Sequence, residues 1–376
     1  MNLDLDPRQK DAQALAKEIA EREIAPRAAE HDRNATFPEA QIKTLGDAGL
    51  LAMLPPKDKG GAGYGALAYS LAITEVARAC PATSVTMAVT NMVADSVAAF
   101  GTEAQIETHV RAIHRGEYTA GSFCLSEPDA GSDAASLRTS AARDGDDYVL
   151  SGSKMWITSG DRSNLLLVMA KTDPDARSRG ISTFIVQPDM PGFSVGKHEE
   201  KMGLRASSTV SIHLDQVRVP ESGRLGPEGI GFKIAMRALD GGRIGIGSQA
   251  IGIGEAALAA AKGILQRQPE LRSSASEARF AVLHTRLEAA RMLVLRAAWL
   301  KDAGQPFTRE ASMAKLYATE TANQVCAEAL ELAGPEAYGS ESSLERLFRD
   351  VRVTTIYEGT SEIQRLVIAR DLLAAA

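Results

Sequence analysis

Two changes of texture divide this chain. Up to about Tyr118 it is written in helix formers. From there to about Leu225 short apolar runs alternate with turn residues, and after Pro227-Glu228-Gly229 long helical stretches return. Runs such as Tyr148-Val149-Leu150, Leu165 to Ala170, Thr183 to Gln187 and Val210 to Leu214 have the length and punctuation of strands. Asp144-Gly145 suits a hairpin turn, and Gly180, Pro188, Pro191-Gly192 and Pro220 break the remainder. On either side, helical spacing marks Asp11 to Ala25 (ending before Pro26), Pro38 to Leu51, Ala66 to Ala79, Ala82 to Phe100 and Glu103 to Ile113. The later set is longer: Phe232 to Ala260, Ser276 to Ala303, Arg309 to Ala333, Leu344 to Ile356 and Ser361 to Leu373. The expected fold is α+β and multidomain. A helical domain over 1–118 precedes a small central β-barrel domain over 119–226 and a C-terminal four-helix bundle over 227–376.

Composition narrows the function classes. The 376 residues carry a net charge of -6, which argues against nucleic acid as the main partner. Cys80, Cys124 and Cys326 lie far apart, so neither a disulfide framework nor a metal site is read, and a reducing compartment is expected. The acidic opening Met1-Asn2-Leu3-Asp4 has no apolar leader or Arg-rich transit pattern, which points to a cytoplasmic chain. Ile244 to Ala261 is the most apolar long stretch, but Gln249 and Glu255 interrupt it. It reads as a tightly packed buried helix, not a membrane span.

Three stretches carry chemistry. In Ile356-Tyr357-Glu358-Gly359-Thr360 a lone carboxylate sits in a short break between helices. Gly359 frees the backbone there, and Thr360 or Ser361 can cap the next helix. Apolar neighbours suit Glu358 to a raised pKa and to work as a base near neutral pH. In Cys124-Leu125-Ser126-Glu127-Pro128-Asp129-Ala130-Gly131-Ser132-Asp133, glycine and two hydroxyls offer donors to an anion or a polar ring. In Lys154-Met155-Trp156-Ile157-Thr158-Ser159-Gly160, one of the chain's 2 tryptophans stands beside a hydroxyl, just before a turn. An indole there can cover a flat cofactor.

Together these stretches resemble the acyl-CoA dehydrogenase family. So do Phe100-Gly101-Thr102-Glu103, Glu200-Lys201-Met202-Gly203-Leu204-Arg205 and Asp215-Gln216-Val217-Arg218-Val219-Pro220. The resemblance runs nearly end to end. It implies FAD-dependent α,β-desaturation of an acyl-CoA thioester, with Glu358 as the base. Some family members place the base where this chain has Gly242, which cannot serve. The resemblance further implies that Phe123, Leu125, Ser126, Gly131, Ser132, Trp156, Ile157, Thr158 and Thr360 hold the flavin. It gives Ser132, Asp240, Arg243 and Gly359 to the substrate, with Arg243 meeting a polar or anionic part of CoA. Arg205 is expected to hold a loop of the β domain. An electron-transfer flavoprotein is the implied electron acceptor. An oxygen-using oxidase, or a dehydrogenase of carrier-bound acyl groups, is the alternative on the same fold. A non-catalytic acyl-CoA-binding subunit is the alternative of another class.

The resemblance fails at one place. The family completes its FAD site from a neighbouring subunit, with an Arg followed by Phe-Gly and then a Gln, and with a Gln-x-x-Gly-Gly-x-Gly turn. Here those positions read Gly263-Ile264-Leu265-Gln266-Arg267 with Ser274, and Glu331-Leu332-Ala333-Gly334-Pro335-Glu336-Ala337. Pro335 removes an N–H donor, and Glu331 puts a carboxylate where an amide is expected. Two explanations follow. One is a homo-oligomer, tetramer or dimer, with a remodelled adenosine pocket. The other is a hetero-oligomer whose partner supplies the missing contacts.

Overall fold

The protein was examined in a computed structural model, which describes residues 4–374. Its first helices are α1 (Pro7–Ile19), α2 (Ala25–Asn34), α3 (Glu39–Asp47), α4 (Gly65–Ala79) and α5 (Pro81–Phe100), with two short helices, α6 (Glu103–Gln105) and α7 (Arg111–His114). The helix expected to stop before Pro26 does not stop. A π turn over Ala20–Ile24 joins α1 to α2, which carries Pro26 in its first turn. Residues near the start of a helical segment do not need the N–H that proline lacks, and the wider turn relieves the ring's clash with the preceding carbonyl. The α3 segment is likewise shorter than expected, because Gly49 takes φ +72° and starts a separate 3-10 turn.

The β domain contains β1 (Gly121–Cys124), β2 (Ser140–Asp144), β3 (Asp147–Thr158), β4 (Leu165–Lys171), β5 (Ile181–Val186), β6 (Phe193–His198), β7 (Thr209–Pro220) and β8 (Arg224–Leu225). Their order is β6-β7-β3-β2-β4-β5-β8, with β1 pairing β4 in parallel. The β2–β3 turn falls at the expected Gly145, at φ +65°. β5 is buried at every position and β4 at all but the last. One face fills the β core, through Leu166, Val168, Phe184 and Val186, while Leu165, Leu167 and Ile185 join the helical core. Burial on both faces explains why these strands read as continuous apolar runs.

The bundle comprises α8 (Gly231–Arg267), α9 (Ser274–Asp302), α10 (Thr308–Ala333), α11 (Ser343–Val351) and α12 (Ser361–Ala374). The stretch Ile244 to Ala261 belongs to α8. That helix is long and apolar enough to cross a membrane, but 78% of the qualifying window is buried inside the fold. Glycines let its neighbours come close: a Cβ at Gly247 would lie 2.8 Å from a Val294 methyl, and one at Gly254 2.9 Å from Leu287. At Gly252 it would press into the Thr74 carbonyl and within 3.1 Å of the Arg78 nitrogen. α9 reciprocates, since Asp302 accepts the Ala66 and Leu67 N–H groups at 2.6 and 2.9 Å and caps α4.

The β domain is keyed to the bundle at α11. The Leu204 N–H donates to the buried Asp350 at 2.6 Å, and Arg349 reaches both Asp32 (2.7 Å) and the Met202 carbonyl (3.1 Å). Arg205, expected to hold a loop, donates to the Arg33 carbonyl at 3.2 Å.

Gly252→Ala tests the α4–α8 approach. Alanine favours a helix by about 0.5–1 kcal/mol, but the clash is with backbone atoms that cannot swing aside, at a cost of about 1–3 kcal/mol. The expected outcome is a lowered urea midpoint; an unchanged or raised midpoint would show slack between the helices.

Candidate active site

Glu358 sits at φ +55° and Gly359 at φ +89°, two successive left-handed residues between the α11 segment and α12. A left-handed non-glycine residue costs about 1–2 kcal/mol, so the loop must be held. Gln364 donates to the Glu358 and Gly359 carbonyls at 3.2 and 2.9 Å, and Lys315 of α10 donates to the Gly359 carbonyl at 2.8 Å. The Tyr357 hydroxyl donates to Gln249, whose amide in turn donates to the Pro81 carbonyl and Ser84 Oγ at 2.9 and 3.1 Å. Thr360 is the cap of α12, accepting the Ile363 N–H at 3.4 Å.

The carboxyl that this loop presents faces α8. A Cβ at Gly242 would lie 2.5 Å from Glu358 Oε2 and 3.2 Å from Met92 Sδ. Gly242 therefore does more than lack a carboxylate of its own: its missing side chain is the space that the Glu358 carboxyl occupies. Oε2 is buried and has no hydrogen-bond partner. Burial pushes the carboxyl up to about 7, against the pull of Arg243 and then Lys315. An orphaned carboxylate oxygen in an apolar setting is poised to take a proton from a carbon acid.

Arg243 points into the bundle. It is 4% exposed, donates to Asp240 at 2.6 Å and Ser312 at 3.2 Å, and leaves Nε unpartnered. Asp240 also accepts from Thr308, and burial raises its pKa. In this arrangement Arg243 lies toward Glu358, and Asp240 pairs with its guanidinium. Gly359 offers its carbonyl to Lys315 and Gln364.

The second cluster lies on the β domain. β3 slips its register against β7 between Lys154 and Ile157, and Trp156 takes φ +61° within that slip. The bulge turns the indole outward, and Trp156 remains 56% exposed while Ile157 beside it is buried. The Met155 N–H donates to the Ser126 carbonyl at 2.9 Å, which fastens the two signature stretches together. Beneath them is a buried ion pair: Lys154 Nζ meets Glu127 Oε1 at 2.7 Å and the Leu125 carbonyl at 3.2 Å. Glu127 also accepts the Arg138 and Thr139 N–H groups at 2.6 and 2.9 Å. Burial alone would raise that carboxyl, but Lys154 and these donors hold it below the usual range. Ser126 and Thr158 stay half-buried, Ser132 is exposed, and a Cβ at Gly131 would meet open space. Phe123 packs on the same helical core as Tyr357 and Val353, and Leu125 on a smaller cluster with Met169 and Ala235.

α5 packs against both clusters. Thr90 Oγ1 accepts the Gly121 N–H at 3.2 Å on the β side, whereas Met92 and Ser84 stand on the Glu358 side. Sequence reasoning missed Lys315, Gln364 and the Glu127–Lys154 pair, while Met92 falls in the stretch between Val85 and Ser96 expected to shape the acyl pocket. Lys315 did leave a signal, since it stands among Ala311, Ala314 and Ala318 on a buried helix face.

Three family models match in succession: the N-terminal domain of acyl-CoA dehydrogenase over 6–117, the middle domain over 122–217 and the C-terminal domain over 229–373. The chain belongs to the acyl-CoA dehydrogenase family. It is 45% identical over 363 residues to the mitochondrial short-chain specific acyl-CoA dehydrogenase of Bos taurus, covering 95% of this chain and 88% of that one. Butyryl-CoA dehydrogenase from Megasphaera elsdenii superposes with TM-score 0.96 at 37% identity, covering 99% of this chain and 100% of that one. A chain from work on the electron transferring flavoprotein of Acidaminococcus fermentans superposes with TM-score 0.97 at 38% identity, over 99% and 100% of the two. A glutaryl-CoA dehydrogenase from Mycobacterium smegmatis in complex with FADH2 gives TM-score 0.92 at 30% identity, over 99% and 96%.

This acyl-CoA dehydrogenase is an oxidoreductase whose cofactor is FAD. The exposed indole of Trp156, the half-buried hydroxyls of Ser126 and Thr158 and the open space at Gly131 suit a flat polar ring and its chain. The distal turns are paired within the chain. The α8–α9 and α10–α11 turns close on one another: Arg267 and Gln268 donate to Glu336 at 3.2 and 2.5 Å, and Arg279 to Glu331 at 2.7 Å.

Gly242→Ala is the direct test of the packing. The added methyl occupies the position of the carboxyl, so flavin bleaching by substrate should slow by at least ~10-fold, as expected for an ångström-scale displacement of a reacting group. Flavin content and helicity should stay normal, and wild-type bleaching would place the carboxyl elsewhere.

Proposed function

We propose that this acyl-CoA dehydrogenase desaturates a short acyl-CoA thioester between its α and β carbons, with Glu358 removing the α-proton. The observation that carries this reading is the Glu358 carboxyl: buried, unpartnered at Oε2, pushed up to about 7 and presented by a strained, well-held loop. Bound FAD supplies the acceptor for the β-hydride. The protein's own task is to hold the acidic carbon beside Glu358 and exclude water, which strengthens every polar contact in the site. A short chain is favoured because Met92 and Tyr69, both buried, fill the space along α8 at Gly242 and Gly245. The similarity to short-chain and butyryl-CoA dehydrogenases supports the same size range. Ser132, Asp240 and Gly359 line the approach for the thioester's CoA arm in this reading.

Electrons then leave to an electron-transfer flavoprotein, a reading that rests on the structural similarity to a chain studied with such a protein. All 3 cysteines are buried and free, consistent with the proposed cytoplasmic setting. For assembly, a homo-oligomer with a remodelled adenosine pocket is the first reading. The Arg267–Glu336 and Arg279–Glu331 pairs favour a second, in which a different chain supplies cations to the flavin's pyrophosphate. Native mass spectrometry with a visible spectrum separates the two. One FAD per chain in the pure homo-oligomer supports the first, and a colourless or half-loaded oligomer supports the second.

Glu358→Gln should abolish anaerobic bleaching by butyryl-CoA while leaving flavin bound; bleaching at the wild-type rate would refute the base assignment. In the wild type, Glu358 must be ionised to accept a proton, so the bleaching rate should fall as pH drops below about 7. A rate independent of pH from 5 to 8 would contradict that environment.

A further inference from the structure

Beneath the base loop lies a cation that the desaturation does not obviously require. Lys315 is wholly buried within α10, and its ammonium donates to a backbone carbonyl, that of Gly359, at 2.8 Å. Burying an ammonium is costly, and a neutral donor would make the same hydrogen bond more cheaply. Gln364 demonstrates this, since its amide already reaches the Gly359 carbonyl at 2.9 Å and the Glu358 carbonyl at 3.2 Å. What Lys315 adds to the loop is therefore charge. Arg243 cannot replace it in full, because Asp240 meets that guanidinium at 2.6 Å.

We infer that Lys315 is a positioning residue for the desaturation: it pins the Gly359 carbonyl and, with Arg243, supplies the positive charge that keeps the Glu358 carboxyl ionised until an α-proton arrives. This rests on Glu358 being the base. The groups facing the pair are few. Arg243 on α8 and Lys315 on α10 draw the Glu358 carboxyl down. Tyr69 on α4 and Tyr357 in the loop are raised by burial and by Glu358, and stay neutral. Burial brings Lys315 itself down to about 7; Glu358, Glu320 and Glu362 act to raise it, and Arg243 to lower it.

The test separates charge from hydrogen bonding. Lys315→Gln keeps a donor and removes the charge, and Lys315→Arg keeps the charge. Each is examined as the flavin-loaded oligomer in two ways. One is the pH profile of anaerobic bleaching by butyryl-CoA. The other, independent of turnover, is the pH at which the carboxylic acid infrared band of Glu358 disappears, assigned by its loss in Glu358→Gln. In K315Q both transitions should move to higher pH, because an opposite charge that favours the ionised carboxyl is lost, while K315R keeps them near the wild-type position. Should K315Q fail to fold, Lys315→Met supplies the second neutral variant. Transitions unmoved in the neutral variants overturn the inference. So does loss of flavin and fold in both of them, because the lysine would then be a structural requirement alone. Wild-type bleaching by Glu358→Gln would instead refute the base, which keeps the two failures apart.

Discussion

The absence of a side chain at Gly242 is the constraint on which the candidate active site depends. The Glu358 carboxyl occupies the volume that any Cβ there would claim, at 2.5 Å from Oε2. Burial is the main cause of the raised pKa of that carboxyl. Around that contact the loop takes two left-handed residues in succession, a conformation the chain would not adopt unaided. Helices α8, α10 and α12 each contribute to holding it, through Gln249, Lys315 and Gln364. The strain is local and its restraints come from three separate elements, so the site forms only when the bundle does.

The same logic governs the β domain. Trp156 is exposed because a register slip in β3 turns it out, and the slip is secured from below by a buried ion pair between Lys154 and Glu127. Such a pair is costly to remove from water, and it persists because four hydrogen bonds from Arg138, Thr139 and Lys154 satisfy the carboxylate. The two clusters, one carrying Glu358 and one suited to a flat ring, are both contacted by α5. Its buried hydroxyls and Met92 face in both directions.

The altered distal turns show how a surface can change while the fold remains. Arg267 and Glu336 sit on different turns and pair with each other, and Leu271 packs within 3.5 Å of the position a Gly334 side chain would take. These exposed pairs add little to stability. Their consequence is chemical: the corner is electrically satisfied within one chain.

Much of the architecture was legible in the amino-acid order. The switch from helical to strand periodicity near Tyr118, the return of helices after Gly229, and the Gly145 hairpin all depend on neighbours along the chain, so local pattern reports them. The Tyr357-Glu358-Gly359 break and the Trp156 stretch were visible for the same reason. Other features were not. Helix continuation through Pro26 depends on a π turn over Ala20–Ile24 that helical spacing does not announce, and the inward aim of Arg243 depends on Ser312 across the bundle as well as on Asp240 one turn back. The roles of Gly242 and Lys315 join residues 116 and 43 positions from Glu358, as their numbering shows. A glycine reads as empty space and a lysine as a surface charge until a third element is placed against them. The sequence by itself determined the elements and the chemistry available to them. Tertiary structure alone decided which carboxyl lost its water and which cations faced it, because desolvation and charge proximity are properties of packed neighbours and not of chain order.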